Sequence, residues 1–124
     1  MTQFLSLDAV KKAAREYYAK GKLTAQARLK KDRKCRYKSG PYRCAIGAAL
    51  SRYSLSKINR YWNHQTFPGL WDQRIVAVRP YEIIPICRIQ DAHDLWIRAV
   101  NKEGNDEEEC RQRFLNLIDW KGVA

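Results

Sequence analysis

Histidine is scarce in this chain: His64 and His93 are the only two in 124 residues. That shortage leaves little from which to build a hydrolytic metal site, which needs at least three well-placed protein ligands. Long apolar runs are missing as well. No stretch of 18 apolar residues exists, so no segment is long enough to span a bilayer as a helix. Met1 to Leu5 carries no basic residue and leads into Asp8 without a long apolar core, so no secretory signal is expected.

The four cysteines, Cys35, Cys44, Cys87 and Cys110, contain no C-x-x-C pair; the closest two are separated by eight residues. Zinc ligands usually come at tighter spacings. In a reducing cytosol the four are expected as free thiols, with no disulfide and no metal. The phosphate-binding glycine loop, the dinucleotide-binding glycine motif, the nucleophile elbow and the zinc-protease helix motif are all absent from the sequence. Nothing at the motif level points to catalysis or to a small-molecule substrate, and no cofactor is expected.

Acidic residues are scarce in one half only. Residues 1 to 62 hold 16 Lys and Arg against Asp8, Glu16 and Asp32, a net of +13, whereas residues 63 to 124 hold 8 against 10, a net of −2. The total of +11 is therefore carried by the first half. Such asymmetry points to a polyanionic partner, whether nucleic acid, an acidic protein surface or a membrane surface. A membrane surface is the weaker fit, since no strongly amphipathic, Trp- or Leu-rich anchor accompanies the charge.

What is present reads as one globular unit over residues 1–124. The hydrophobic fraction of 45% and a mean hydropathy of −0.61 belong to a water-soluble domain, and a chain of this length buries enough surface for one core. Ser6 is placed to cap a helix over residues 7 to 20, with Leu7, Val10, Ala13, Ala14 and Tyr17 inward and Lys11, Lys12, Arg15 and Lys20 in solvent. Gly21 stands where that helix should stop. A densely basic run follows, with Arg28, Lys30, Lys31, Arg33, Lys34, Arg36 and Lys38 against Asp32 alone. So many like charges cannot be buried, so the run must face water or a partner.

Residues 35 to 44 alternate about Ser39-Gly40-Pro41 and predict a hairpin in which Tyr37 opposes Tyr42, Arg36 opposes Arg43 and Cys35 opposes Cys44. Cys44 to Leu50 reads as a short buried helix. Ser54 is placed to cap the next one, with Leu55, Ile58 and Trp62 inward and Arg52, Lys57 and Arg60 outward. Arg74 to Val78 suits a brief strand or packed extended segment.

The strongest helical stripe is Ile86, Ile89, His93, Trp96, Ile97 and Val100, with Pro85 suited to its first turn. Asp106 is placed to cap a last helix whose first turn carries Glu107, Glu108 and Glu109, and whose inner face holds Cys110, Phe114, Leu117 and Ile118. The expected fold is mainly α (α+β): four or five helices around one core, with a small β-hairpin near residues 35 to 44.

Adjacent His93 and Asp94 match the metal-binding pair of HD phosphohydrolases, but the further ligands those enzymes need are missing. Because His93 lies on the apolar stripe, it is expected as a core histidine hydrogen-bonded to a neighbour.

Two segments, Cys35-Arg36-Tyr37 with Gly40 and Cys44-Ala45-Ile46-Gly47, and Ile89-Gln90-Asp91-Ala92-His93-Asp94, together resemble a family of small proteins of tailed phages and prophages. Members of that family carry C-x-Y, a glycine-bearing turn and C-A-I/V-G, then L-Q-x-x-H-D; here Ile89 stands at the usual leucine. The resemblance supplies no catalytic residue. It implies a protein in the cytoplasm of a host bacterium that binds host or phage machinery, including inhibitors of nucleic-acid-guided defence systems such as CRISPR.

The expected function is thus non-enzymatic. Arg28, Lys30, Lys31, Arg33, Lys34, Arg36, Lys38, Arg43, Arg52, Lys57 and Arg60 would form a basic surface that meets a bacterial nucleic-acid-targeting complex. The alternative is direct contact with DNA or RNA, with Tyr37, Tyr42, Tyr53, Tyr61 or Trp62 stacking on bases.

Overall fold

The computed structural model describes residues 2–26, 38–39, 41–61, 74–101 and 106–122; at 38–39, 59–61 and 101 only the backbone is described. The elements in chain order are β1 (Gln3–Leu5), α1 (Leu7–Ala19), a 3-10 turn (Thr24–Gln26), β2 (Lys38–Ser39), β3 (Tyr42–Arg43), α2 (Ala45–Ala49), α3 (Arg52–Tyr61), β4 (Val76–Val78), α4 (Pro80–Asn101) and α5 (Glu107–Leu117). The chain is mainly helical, as its patterning predicts, and it also carries a small parallel sheet that the patterning does not. No helix among the described residues is long and apolar enough to cross a membrane.

Helix α1 begins and ends as its sequence dictates. Ser6 Oγ accepts from the Ala9 amide at 3.1 Å, satisfying one of the donors a helix start leaves open. At the other end Gly21 takes φ 68°. Its amide donates to the Tyr18 carbonyl at 3.0 Å and the Lys22 amide to the Tyr17 carbonyl at 2.9 Å, a Schellman closure. Val10 and Ala14 are fully buried.

The N-terminal strand was not legible in the sequence. β1 pairs in parallel with β4, Gln3 against Val76, Phe4 against Ala77 and Leu5 against Val78. Three residues are too few to display an alternation, and the partner lies more than seventy positions away. Burial of Leu5, Val76 and Val78 accounts for the pairing. Gln3 then ties the strand to the corner between α2 and α3. Its Nε2 donates to the Ala49 carbonyl at 2.8 Å, and its Oε1 accepts from the Ser51 amide at 2.8 Å and from Ser54 Oγ at 2.9 Å.

Three helix starts differ from their sequence reading. Ser51, not Ser54, caps α3: its Oγ accepts from the Ser54 amide at 3.1 Å, while Ser54 is buried inside the helix. Helix α4 starts at Pro80, so Pro85 lies inside it rather than in its first turn. Pro80 already has the fixed φ and the dispensable N–H that a first position favours. Asp106 occupies the cap position of α5 but makes no side-chain cap bond, its ψ of 63° lying outside the extended geometry a cap needs. The three glutamates that follow do sit in the first turn, where the helix dipole favours them.

The buried residues form one cluster, with α4 at its centre. Ile86, Ile89, Ala92, Trp96 and Ile97 of α4 pack with Phe114, Leu115 and Ile118 from the α5 side and with Val10 and Ala14 of α1. Leu55 and Ile58 of α3 are buried as expected, and Trp62 lies outside the described residues.

Candidate nucleic-acid interface

Among the described residues, the cations of the candidate surface are best placed around Arg43. β2 and β3 form the expected hairpin, but with Lys38 opposite Arg43 and Ser39 opposite Tyr42. The predicted pairing of Arg36 with Arg43 and Tyr37 with Tyr42 is therefore displaced by two residues. Pro41 explains the shift: it has no N–H to give a ladder and a fixed φ, so it belongs in the turn, where it sits. The residue in backbone register with Arg43 is thus Lys38.

Arg43 is also joined to the segment after α1. Its amide donates to the Lys22 carbonyl at 3.1 Å, and it forms a parallel bridge with Leu23. Leu23 is fully buried while Lys22 and Lys20 are exposed. The backbone thus sets Leu23, Arg43 and Lys38 side by side at the roughly 5 Å spacing of paired strands, with Lys22 next to the bridge. The Arg43 guanidinium lies 5.5 Å from the centre of the Tyr17 ring, a cation–π contact that holds the side chain at the α1 face. Sequence reading missed Tyr17 and Lys22 as neighbours of Arg43, because the contacts that join them are long-range.

Arg28, Lys30, Lys31, Arg33, Lys34 and Arg36 lie outside the described residues. The described residues flanking them, Leu23 on one side and Lys38 on the other, both pair with Arg43. Arg52 and Lys57 lie on α3, with Arg52 exposed and the Lys57 ammonium 4.7 Å from the centre of the Tyr53 ring. The side chain of Arg60 is outside the described set.

Not every first-half cation joins this surface. Lys11 Nζ bonds Asp119 Oδ2 at 2.9 Å, and Arg15 Nη1 donates to the Ile118 carbonyl at 2.7 Å. Arg15 projects about 200° around α1 from Tyr17. The second half thus engages two of the cations expected in open solvent. Lys11 beside Asp119 holds that carboxyl below the ordinary carboxylate range.

The described part of the first motif, Cys44 to Gly47, meets the second, Ile89 to Asp94, inside the molecule. Cys44 Sγ accepts from the Gly47 amide at 3.3 Å at the start of α2. From α4, Gln90 Oε1 accepts from the Ile46 amide at 3.0 Å. Gln90 Nε2 in turn donates to Asp94 Oδ1 at 2.9 Å. Together these contacts dock α2 on α4 and give both motifs a structural task directly behind the hairpin.

His93 is fully buried, as expected of a core residue, but neither ring nitrogen has a hydrogen-bond partner among the described residues. Its ring packs edge-on against Phe114 at 5.7 Å and Trp96 at 6.4 Å, and Asp94 Oδ1 stands 3.6 Å from Nδ1, beyond hydrogen-bond range. The expected hydrogen bond is replaced by aromatic packing, because every neighbour the apolar stripe supplies is a hydrocarbon or a ring. Cys44, Cys87 and Cys110 are free thiols, and Cys35 lies outside the described residues. Burial, and secondarily the Asp91 charge, push the Cys87 thiol above its ordinary value. Among the described residues no group of three His, Cys, Asp or Glu is placed to hold a metal ion.

No protein-family model, curated protein or solved structure matches the chain.

Proposed function

We propose that this chain is a non-enzymatic, phage-type binding protein of the bacterial cytoplasm. It applies its basic hairpin end to a nucleic-acid-handling complex of the host, as an inhibitor of a defence system such as CRISPR. The observation that carries the reading is the convergence at Arg43: Lys22 and Lys38 flank it on the backbone, and the densest cationic run in the sequence spans the stretch between them. A surface of that sign is complementary to the acidic faces of proteins and to the phosphates they hold, and it speeds encounter with either. The phage context rests on the paired motifs.

Direct binding of DNA or RNA is the second reading, favoured by the Tyr17 ring standing beside Arg43 as ring and cation together. Affinity capture from a bacterial lysate, with and without nuclease, separates the two. Recovery of a nucleic-acid-targeting complex in both arms supports the first reading. Recovery of nucleic acid that vanishes with nuclease supports the second. A bait that retains neither sinks both.

A further inference from the structure

Helix α4 is buried along one face and bare along the other. The bare face carries Tyr81, Ile84, Arg88, Asp91, Leu95 and Arg98, at alternating steps of three and four residues. That is the heptad spacing of a helix–helix seam, and it recurs across about 26 Å of helix. Two of the six are large aliphatic residues left in solvent, Ile84 at 65% and Leu95 at 40% exposed, and Tyr81 is 74% exposed. The Arg88 and Asp91 side chains make no ion pair with a described residue.

The order of the six residues is self-complementary. Lay a second copy of the helix antiparallel, with a two-fold axis between Ile89 and Gln90, and Ile84 meets Leu95, Arg88 meets Asp91 and Tyr81 meets Arg98. Each pair then occurs twice. Apolar faces apolar, cation faces anion and ring faces guanidinium, with no like charges opposed. A parallel arrangement would set Arg88 on Arg88 and Asp91 on Asp91.

We propose that the exposed face of α4 is a homodimer seam, occupied by the same face of a second copy running antiparallel. One helix pair of this length buries less than a standard interface, so the dimer is expected to be weak, with a dissociation constant of roughly 10–100 μM. It would place two copies of the basic surface on one particle, and so allow bivalent engagement of a polyanion.

Sedimentation equilibrium of the full chain over a range of concentrations is the test. The chain should sediment as a reversible mixture of the 14.6 kDa monomer and a particle of twice that mass. Arg88→Asp and Asp91→Arg should each weaken association about tenfold or more, since each places like charges opposite one another at both symmetry-related pairs. The double variant, with the two charges exchanged, should regain the wild-type constant. Both sites are exposed, so circular dichroism should show all three variants folded. A chain that stays monomeric throughout, or a double variant no better than the singles, overturns the proposal.

Discussion

At the scale of single residues, burial decides what the polar side chains can do. His93 sits between Trp96 and Phe114 with both nitrogens unpartnered among the described residues. A buried polar group left in that state costs about 1–3 kcal/mol. His93→Leu, close in volume, should therefore be neutral or raise Tm in thermal denaturation; a loss of more than about 2 kcal/mol would show that the imidazole makes a bond in solution. Lys11 and Asp119 give the opposite case, an exposed pair whose effect is on ionisation. Because the folded pKa of Asp119 is depressed by Lys11, the pair's stabilisation is present above the ordinary carboxylate range and lost as pH falls through the lowered value. Lys11→Met should move the Asp119 titration, followed by carboxyl carbon chemical shift, upward toward the ordinary range. An unmoved midpoint would remove Lys11 as the cause.

At the scale of elements, what the sequence revealed followed the range of the interactions involved. Helix α1 was legible from residue to residue because Ser6, its apolar stripe and Gly21 all act within a few positions. The α4 stripe was legible for the same reason, though its start was misplaced because two prolines competed for one role. The β1–β4 pair, the Gln3 clamp and the bridge from Leu23 to Arg43 were hidden, since each joins residues at least twenty positions apart through short segments. The link between α2 and α4 is of that kind. Gln90→Leu should leave the buried Ile46 amide without its acceptor and lower stability by about 1–3 kcal/mol, measured by chemical denaturation. If stability holds, Gln90 does not fasten the two helices together.

At the scale of the whole molecule, the division of charge along the sequence becomes a partial division in space. Lys11 and Arg15 turn toward the second half and are engaged there, while Lys22, Lys38 and Arg43 gather at the hairpin. The candidate surface was thus half legible. The composition led to an expected positive sign, but Lys22 and Tyr17 come beside Arg43 only through tertiary pairing, and the dense run from Arg28 to Arg36 lies outside the described residues. The reading as a binding protein rests on that gathering.

Its most direct test is the salt dependence with which an immobilised chain releases what it has captured from nuclease-treated bacterial lysate, compared with a Lys22→Glu, Lys38→Glu variant. The wild-type chain should hold its partner at low salt and release it steeply as salt rises, and the variant should release it at a clearly lower salt concentration. Identical release profiles for the two would contradict the account, because the partner would then be held by some other part of the molecule.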